Sequence, residues 1–551
     1  MRSAAPLAIV LGLLAWSVPA APSLACDERS LLPGAGCHAW ERTEPGGRAV
    51  GVAASPDGAS FYTLAWLYVA DGVRGSLDYV TVAYDAATGA ERWRARFDGG
   101  GTEWPHAILA SRDGLRVYVT GQSGNPQGRY DAATVAYDAR TGETLWTLRH
   151  GDVESAGRGI AESPDGATVY VTGSTRLGPS AILVAAHDAQ RGDPRWTARY
   201  SGFGSGTSVA VSQDGSTVVA TGWRMPDGGN PFEQTDGIAL AINASDGRIR
   251  WVDNLTSPPA ARHNILLRAA VDDVSGLALA TGAVKSAGTG YDAFTVAYDL
   301  QTGVRVWSDA LDLAGGHEDA LALALSNGTL VVAGNTGGAG RDGFSSCASP
   351  ADFLTVAYEA ATGARRWVAT YDGPGGKEDC AFDVVASGDG KVYVAGLGIG
   401  LGTCARTFTY PCPVAGYGAL ALAYDLATGA ASWMRRYEAP GYGVSDAAYA
   451  LALSPDGARL VLAGITSSAL VGDGSLYASP VFVRQPSVCA VVWASFCWEE
   501  PRECPSAAAP ACGGDDPCRG VLRQACAPVT GPSWHAWTAA YATESSTPQP
   551  S

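Results

Sequence analysis

The chain has 551 residues, and its 54 acidic against 38 basic side chains give a net charge of −16. This balance excludes nucleic acid as a partner, because phosphate backbones require a basic surface. It argues equally against anionic membrane surfaces, and no apolar stretch beyond the N-terminal segment is long enough for a membrane span. We expect a monomer.

Residues 1–25 have the features of a secretory signal peptide. Arg2 precedes an apolar run from Leu7 to Val18, and the small residues 23–25 suit cleavage. We therefore expect a secreted, periplasmic or cell-surface protein whose mature chain begins near Ala21 or Cys26. A lipid anchor at Cys26 is the weaker alternative.

Residues 36–488 contain a recurring eleven-residue phrase, Ala-x-Asp-x-x-Thr-Gly-x-x-x-Trp, which occurs seven times between Ala83 and Trp433, twice in degenerate form. β-Branched residues precede the phrase, so it predicts a strand, a tight turn in which Gly takes a positive φ, and a second strand that carries Trp. A repeat of about 50 to 65 residues with four short strands is typical of a β-propeller blade. The fold class predicted is all-β.

A second local signal, a Ser-x-Asp-Gly hairpin followed by a Tyr-Val-Thr-Gly strand, recurs in most units, as in residues 163–173. Together the two signals predict strands A to D of a blade, with A innermost. They give seven whole blades, and then strands A and B of an eighth at residues 449–463. We expect eight four-stranded blades, with Trp40 completing the last. The alternative is seven blades with a Cys-rich C-terminal module, and residues 532–541 are a second candidate for the closing strand.

Twelve cysteines in an exported chain predict disulfides. The expected pairs are Cys404 with Cys412, inside one B–C loop, and Cys347 with Cys380, between neighbouring loops of one face. Six more fall in residues 489–531, where prolines and glycines predict a disulfide-stapled insertion or module. Zinc is the weaker alternative, because close Cys-x-x-Cys pairs are missing. The tail 542–551 is expected to be disordered.

The eleven-residue phrase resembles the tryptophan-docking motif of quinoprotein dehydrogenases and PQQ-like propellers. The hairpin and its Tyr-Val-Thr-Gly strand resemble bacterial repeats of the SBBP and YVTN type. The resemblance covers residues 40–463, and it implies that each Trp packs between adjacent blades while Ala leaves room for its ring. The tryptophans with this implied structural role are Trp40, Trp93, Trp146, Trp196, Trp251, Trp307, Trp367 and Trp433.

The resemblance also raises the question of quinone chemistry. In the dehydrogenases, PQQ is clamped by a vicinal cysteine pair and served by calcium and a catalytic Asp near the ring axis. This sequence has no adjacent cysteines and no Cys-x-x-Cys-His haem site. We therefore expect neither PQQ nor another cofactor, and only calcium stays open.

The candidate ligand-binding residues fall in the B–C and D–A loops, which share one face of a propeller. The B–C loops vary in length and carry aromatic residues, and acids precede strand A in five of the eight units. Clustered carboxylates at the mouth of the central channel would suit calcium or a cationic ligand. The competing interpretation is that each acid caps a turn and that the histidines are ordinary loop residues. The candidates are Glu103, His106, Glu154, Trp223, His317, Glu318, Asp319, Glu378, Asp379, Tyr410 and Asp446.

Three functional hypotheses follow. The favoured one is an exported, non-catalytic propeller that binds a protein or polysaccharide through the loop face. The second is a PQQ- or calcium-dependent oxidoreductase of the quinoprotein type, in which the acids would converge on the channel axis. The third is a structural cell-surface protein. No Gly-x-Ser-x-Gly elbow lies between a strand and a helix, so hydrolase chemistry has no support.

Overall fold

The structure is a computed structural model. It describes residues 40, 42, 47–70, 75–125, 128–150, 154–175, 181–226, 234–256, 263–286, 290–313, 316–337, 351–373, 378–399, 417–437, 445–467, 481–485 and 488–492. Every regular element in these residues is a β-strand. Within the same residues, no helix is long and apolar enough to cross a membrane.

Seven blades of four strands form a propeller, and in each blade the strands lie side by side in chain order from A to D. Blades one to four comprise β1 (Gly47–Ala54), β2 (Ser60–Ala70), β3 (Gly75–Asp85), β4 (Glu91–Phe97), β5 (Glu103–Ala110), β6 (Arg116–Gly124), β7 (Tyr130–Asp138), β8 (Thr144–His150), β9 (Ser155–Glu162), β10 (Thr168–Thr175), β11 (Ala181–Asp188), β12 (Pro194–Ser201), β13 (Gly204–Val211), β14 (Thr217–Arg224), β15 (Asp236–Asn243) and β16 (Ile249–Leu255). Blades five to seven comprise β17 (Ile265–Asp272), β18 (Leu277–Ser286), β19 (Gly290–Asp299), β20 (Arg305–Leu311), β21 (Asp319–Ser326), β22 (Thr329–Thr336), β23 (Asp352–Glu359), β24 (Arg365–Tyr371), β25 (Asp379–Ala386), β26 (Lys391–Ile399), β27 (Tyr417–Asp425) and β28 (Ala431–Tyr437). The last described strands are β29 (Ser445–Leu453), β30 (Leu460–Ser467), β31 (Val481–Gln485) and β32 (Val488–Val492).

The all-β propeller is confirmed, but the favoured count of eight four-stranded blades is wrong, and the alternative of seven holds. β29 and β30 pair with each other and lie between blades seven and one, where β29 packs against both β25 and β1. They reach other strands of their sheet only through single residue pairs, Tyr417 with Ser445 and Ala463 with Val481. Trp40, expected to complete the last blade, lies in no strand. Residues 493–551, with most of the predicted Cys-rich module, the second closing strand and the tail, lie outside the described residues.

The A–B hairpin is held by the side chains of its own signature. In blade one, the Ser55 hydroxyl donates to the Asp57 carboxylate at 2.5 Å, and Ser55 Oγ accepts from the Ser60 backbone N–H at 2.9 Å. Gly58 supplies the positive φ of 67° that the turn requires. The same Ser-to-Asp bond recurs in blades two, three, four and seven and in the β29–β30 hairpin, so local sequence alone sets these turns.

The C–D phrase links each blade to the next through its Trp. The Trp93 indole N–H, on blade one, donates to the Ala139 carbonyl of blade two at 2.8 Å. Its ring covers Gly142, where a Cβ would come within 2.6 Å of the indole. The same donor and acceptor pairs are Trp40 with Ala86, Trp146 with Ala189, Trp196 with Ala244, Trp251 with Leu300, Trp307 with Ala360 and Trp367 with Leu426. Removing such a half- to fully buried ring from a core typically costs about 3–5 kcal/mol.

The two end tryptophans act at the ring closure. Trp40 is 6% exposed and covers Gly89 of blade one, as the other docked rings cover their glycines. Its cluster also contains Val461 and Ala463 of β30. Trp433 of blade seven packs with Leu451 and Leu460 of the β29–β30 hairpin. The hairpin therefore takes part in the same chain of contacts as a complete blade.

One junction uses histidine at a position that is tyrosine in blades one, two, five, six and seven. His187 occupies the position held by Tyr137 or Tyr298 in the phrase, is fully buried, and its Nε2 lies 3.2 Å from Nε2 of His150 on blade two. Burial, with the neighbouring His150 next, lowers the pKa of His187 to about 3. His187 is therefore neutral in the folded protein over a pH range in which an unfolded chain would protonate it.

The first prediction isolates Trp docking from backbone strain. Gly303 and Gly276 both have a left-handed φ, 72° and 66°, but a Cβ at Gly303 would lie 2.5 Å from the Trp251 ring, whereas nothing lies within 4 Å of one at Gly276. Gly276→Ala should cost about 1–2 kcal/mol of unfolding free energy, from backbone strain alone. Gly303→Ala should cost about 1–3 kcal/mol more, because the ring must move. Denaturant unfolding of both variants checks this, and equal losses would contradict it.

The second prediction concerns pH. Because the folded pKa of His187 is lowered, the unfolded chain binds the extra proton, so stability is complete above pH 6.5 and falls as pH drops towards 3. His187→Tyr introduces the residue found in five other blades. Its unfolding free energy should rise relative to that of the wild type by up to about 1.4 kcal/mol per pH unit below pH 6.5. Melting temperatures at pH 7 and pH 5 provide the measurement. A wild type-to-variant difference that is the same at both values would refute the assignment.

Candidate functional site

Acidic side chains recur at one position on the loop face, at the beginning of strand A. Every A strand, including β29, has a β-bulge, and Glu103, Glu318, Asp379 and Asp446 each stand three residues before a bulged residue. All four are buried. The bulge fixes their register on the strand, so the four carboxylates occupy equivalent places at four blade junctions.

Three of these acids meet two more carboxylates that come from the preceding blade. One belongs to strand C, and the other follows strand D. In each triad, one oxygen from every residue lies within 4.8 Å of the others. The triads are Asp78, Asp98 and Glu103 between blades one and two, Asp292, Asp312 and Glu318 between blades five and six, and Asp352, Asp372 and Asp379 between blades six and seven.

The acid at the start of strand A is almost fully buried in each triad, and Asp78 of the first triad is buried to the same extent. Glu103 is 0% exposed, and Glu318 and Asp379 are each 1% exposed. One carboxylate oxygen of each, Oε2 of the two glutamates and Oδ1 of Asp379, has no hydrogen-bond partner among the described residues. Burial raises the pKa of Glu103 to about 7 and that of Asp379 to about 6, and it raises the pKa of Glu318. An unpaired, desolvated carboxylate oxygen is costly, so these positions need a counter-charge or a proton.

The remaining oxygens are held by the protein. Hydroxyls at equivalent positions of strand B donate to the glutamates, Ser123 to Glu103 at 3.3 Å and Thr336 to Glu318 at 2.8 Å. The Gly373 backbone N–H donates to Oδ2 of Asp379 at 2.5 Å. Each acid is therefore fixed in place by one oxygen while the other stays available.

Several candidates predicted from the sequence have structural partners instead. Asp319 is buried against Asn335, whose Nδ2 donates to Oδ1 at 3.0 Å, and burial raises its pKa to about 7. Glu378 accepts from the Tyr417 hydroxyl at 3.3 Å. His317 Nδ1 accepts from the Tyr291 backbone N–H at 3.3 Å. None of these three belongs to a triad.

The other predicted residues are dispersed over the same face. Trp223 is half-buried, and its ring centroid lies 6.1 Å from that of Phe203. His106 is a bulged strand-A residue, and burial, followed by the charge of Arg158, lowers its pKa to about 4. Glu154 is half-buried just before β9, and Tyr410 lies outside the described residues. Cys380 is disulfide-bonded, whereas Cys347, Cys404 and Cys412 lie outside the described residues.

Sequence reasoning missed the six acids of strands C and D in the triads. The sequence does contain a signal for these acids, which is their constant position relative to the eleven-residue phrase. Asp78, Asp292 and Asp352 each stand five residues before the Ala of the phrase. Asp98, Asp312 and Asp372 each stand five residues after the Trp. Their proximity to the next strand A only becomes visible once the blades are packed around the ring.

Exposed aromatic side chains lie on the same face, near the channel mouth. Trp104, on strand A of blade two, is 38% exposed, and Tyr68, at the end of strand B of blade one, is 47% exposed. Trp66 packs edge-on against Trp104 with 5.9 Å between ring centroids. On the neighbouring strand of blade one, Arg48 pairs with Trp66, and its guanidinium lies 4.1 Å above the Tyr449 ring of β29. The mouth therefore combines aromatic surface with both signs of charge.

The oxidoreductase hypothesis required the strand-A acids to converge on the channel axis. Among the described residues, Glu103, Glu318 and Asp379 form three separate groups at three different blade junctions, each with acids of the preceding blade. The sequence also lacks the vicinal cysteines that clamp PQQ in the dehydrogenases it resembles.

Four-stranded blades arranged in a ring, each docked on the next through a Trp, define this protein as a β-propeller. The family model for "Outer membrane protein assembly factor BamB", a PQQ-like repeat family, matches residues 131–433, which is more than half of the chain. The chain belongs to this family of PQQ-like propellers. No curated protein matches the sequence.

Solved structures resemble the chain at low identity. Sqt1 from Chaetomium thermophilum is 12% identical with a TM-score of 0.49, and the match covers 82% of this chain and 100% of that one. A quinohemoprotein alcohol dehydrogenase from Pseudomonas putida HK5 is 13% identical with a TM-score of 0.46, covering 86% and 80%. The hydrazine synthase of Kuenenia stuttgartiensis is 15% identical with a TM-score of 0.40, covering 78% and 97%. Similarity at this level carries no argument about function.

Proposed function

We propose that this protein is an exported, non-catalytic β-propeller that binds a protein or polysaccharide through its B–C and D–A loop face. The observation that carries the proposal is the distribution of exposed aromatics. Among the described residues, Tyr68 and Trp104 are the two large aromatic side chains that are exposed to solvent, and both lie on this face. On the opposite face the exposed apolar residues are aliphatic, such as Leu115 and Val274 in A–B turns.

Aromatic rings at a rigid, concave mouth suit recognition. Trp and Tyr are enriched where binding energy concentrates in interfaces, because they bury a large area at little conformational cost. The same flat rings stack on the apolar faces of sugar rings. Trp104 is supported from behind by Trp66, so its ring is held in place before a ligand arrives.

Export is supported by the N-terminal features and by cysteine chemistry. Residues 1–25 read as a signal peptide through Arg2 and the apolar run from Leu7 to Val18. The disulfide at Cys380 suits an oxidising compartment. Secretion, the periplasm and the cell surface are all compatible with these features.

The test compares two double variants of the exported protein. Tyr68→Ala with Trp104→Ala removes the aromatic surface, and Leu115→Ala with Val274→Ala removes exposed apolar residues of the opposite face as a matched control. Glycan arrays of envelope polysaccharides and crosslinking to envelope proteins supply the ligands. The aromatic pair should weaken binding at least about tenfold, since interface hot spots contribute more than about 1 kcal/mol each, and the control should bind as the wild type does.

Three results would count against the proposal. These are equal losses in both double variants, full binding by the aromatic variant, and a wild type that binds neither class. The last would favour a purely structural role. Loss of the signal after protease treatment of the ligand, or after periodate treatment, would separate a protein from a polysaccharide.

A further inference from the structure

The acids of the triads occur together in a way that points to a shared ligand. Two register positions matter: the residue five after the docking Trp and the residue three before the strand-A bulge. The seven blades and the β29–β30 hairpin make eight junctions around the ring. Both positions are acidic at four of these junctions, and neither is acidic at the other four. The acidic pairs are Asp98 with Glu103, Asp312 with Glu318, Asp372 with Asp379, and Glu438, which lies outside the described residues, with Asp446. The other pairs are Pro45 with Gly47, Gly151 with Ser155, Ser201 with Gly204, and Thr256 with Asn264.

Carboxylates that lie close together repel each other, and each triad contains at least one buried acid beside an exposed one, so their joint occurrence favours a positive partner. A turn cap would need only one acid per junction, and the strand-D acid would then be free to vary independently. The strand-C acid behaves differently, because Asp131 and Asp236 stand at junctions without the other two. Each of these has an arginine nearby instead, Arg149 at 4.0 Å and Arg224 at 3.7 Å.

The junction of blades six and seven gives the clearest geometry. Asp379 is 1% exposed, and its Oδ1 has no partner among the described residues. A Cβ on Gly398 would lie 2.1 Å from this oxygen, and one on Gly373 would lie 2.7 Å from it, so the carboxylate fits here only because both positions are glycine. No ion pair of the described residues involves Asp379 or its partners Asp352 and Asp372. The negative charges of these two partners act on the Asp379 carboxylate, while the charge of Arg436 opposes them to a smaller extent.

The junction of blades five and six repeats the arrangement with a longer side chain. Glu318 is 1% exposed, and Thr336 donates to its Oε1, which leaves Oε2 without a partner among the described residues. Asp292 and Asp312 place an oxygen within the same 4.8 Å group.

The junction of blades one and two shows a different solution. There Arg96, on strand D, lies against the Asp78 carboxylate, so a guanidinium already compensates part of the charge. The equivalent positions of blades five and six, three residues after the Trp, hold Ala310 and Thr370. These side chains carry no charge, so they do not compensate the carboxylates as Arg96 does.

The donor set is made of carboxylate oxygens, which favours a hard cation over zinc or copper. Calcium binds oxygens at about 2.3–2.6 Å, so two ligand oxygens on one ion lie within roughly 5 Å of each other. The chosen oxygens of each triad all lie within 4.8 Å of one another, so they are compatible with this limit. Three carboxylates also supply the charge that calcium sites use to reach useful affinity.

We propose that Asp352, Asp372 and Asp379, and equally Asp292, Asp312 and Glu318, form two calcium-class cation sites that join blade six to both of its neighbours. Each ion binds strands C and D of one blade and strand A of the next. The tryptophans dock the blades through the C–D turns, and the ions join them at the loop face. This proposal is independent of the ligand-binding proposal above.

The test uses the full exported protein, stripped with a chelator and titrated with calcium chloride by calorimetry, with metal content measured after dialysis. The wild type should bind two equivalents, and Asp379→Asn and Glu318→Gln should each bind one. The double variant should bind none. Calcium should raise the melting temperature of the wild type and leave that of the double variant unchanged.

Asp131→Asn is the matched control. It neutralises the same strand-C position as Asp352 at a junction without the other two acids, so it should keep both equivalents. A folded wild type that takes up no calcium at millimolar concentration would overturn the proposal. So would two equivalents retained by the double variant, or a loss in Asp131→Asn as large as in Asp379→Asn.

Discussion

The docking of each Trp on the glycine of the next blade is the contact on which the rest of the molecule depends. It joins each blade to the next, since the indole of one blade reaches a carbonyl 43 to 59 residues further along the chain. Since the indole donates a hydrogen bond and its ring fits only where Cβ is missing, the contact fixes both the distance and the rotation between blades. Seven repeats of this geometry, with the β29–β30 hairpin, close the ring.

Because of this constraint, the two faces of the propeller differ in how far their sequences can vary. The A–B and C–D turns carry the Ser-to-Asp bonds, the left-handed glycines and the docked rings, so their sequence is tied to packing. The B–C and D–A loops do not make these packing contacts. The buried acids and the exposed Trp104 and Tyr68 therefore collect there, at positions that strand register fixes but packing does not require. A rigid ring that presents a variable face is how binding proteins commonly separate stability from recognition.

Much of the fold was predictable because its signals are local. The Thr-Gly turn and the Ser-x-Asp-Gly hairpin form within a few residues, so the strands, their order and the all-β propeller could be inferred from the chain. The blade count could not, because closure depends on Trp40 and on β29–β30, whose partners are far away in sequence. For the same reason Glu103, Glu318 and Asp379 were found as strand-A acids, whereas Asp98, Asp312 and Asp372 were not. Their meeting depends on how one blade packs on the next.

The most direct test of the central claim is amide hydrogen exchange of Trp40→Ala compared with the wild type. If Trp docking holds each blade to its neighbour, protection should fall first in β1–β4 and in β29–β30, which flank the closing contact, while β13–β20 across the ring keep theirs. A uniform loss of protection in all blades, or no loss next to Trp40, would contradict the account.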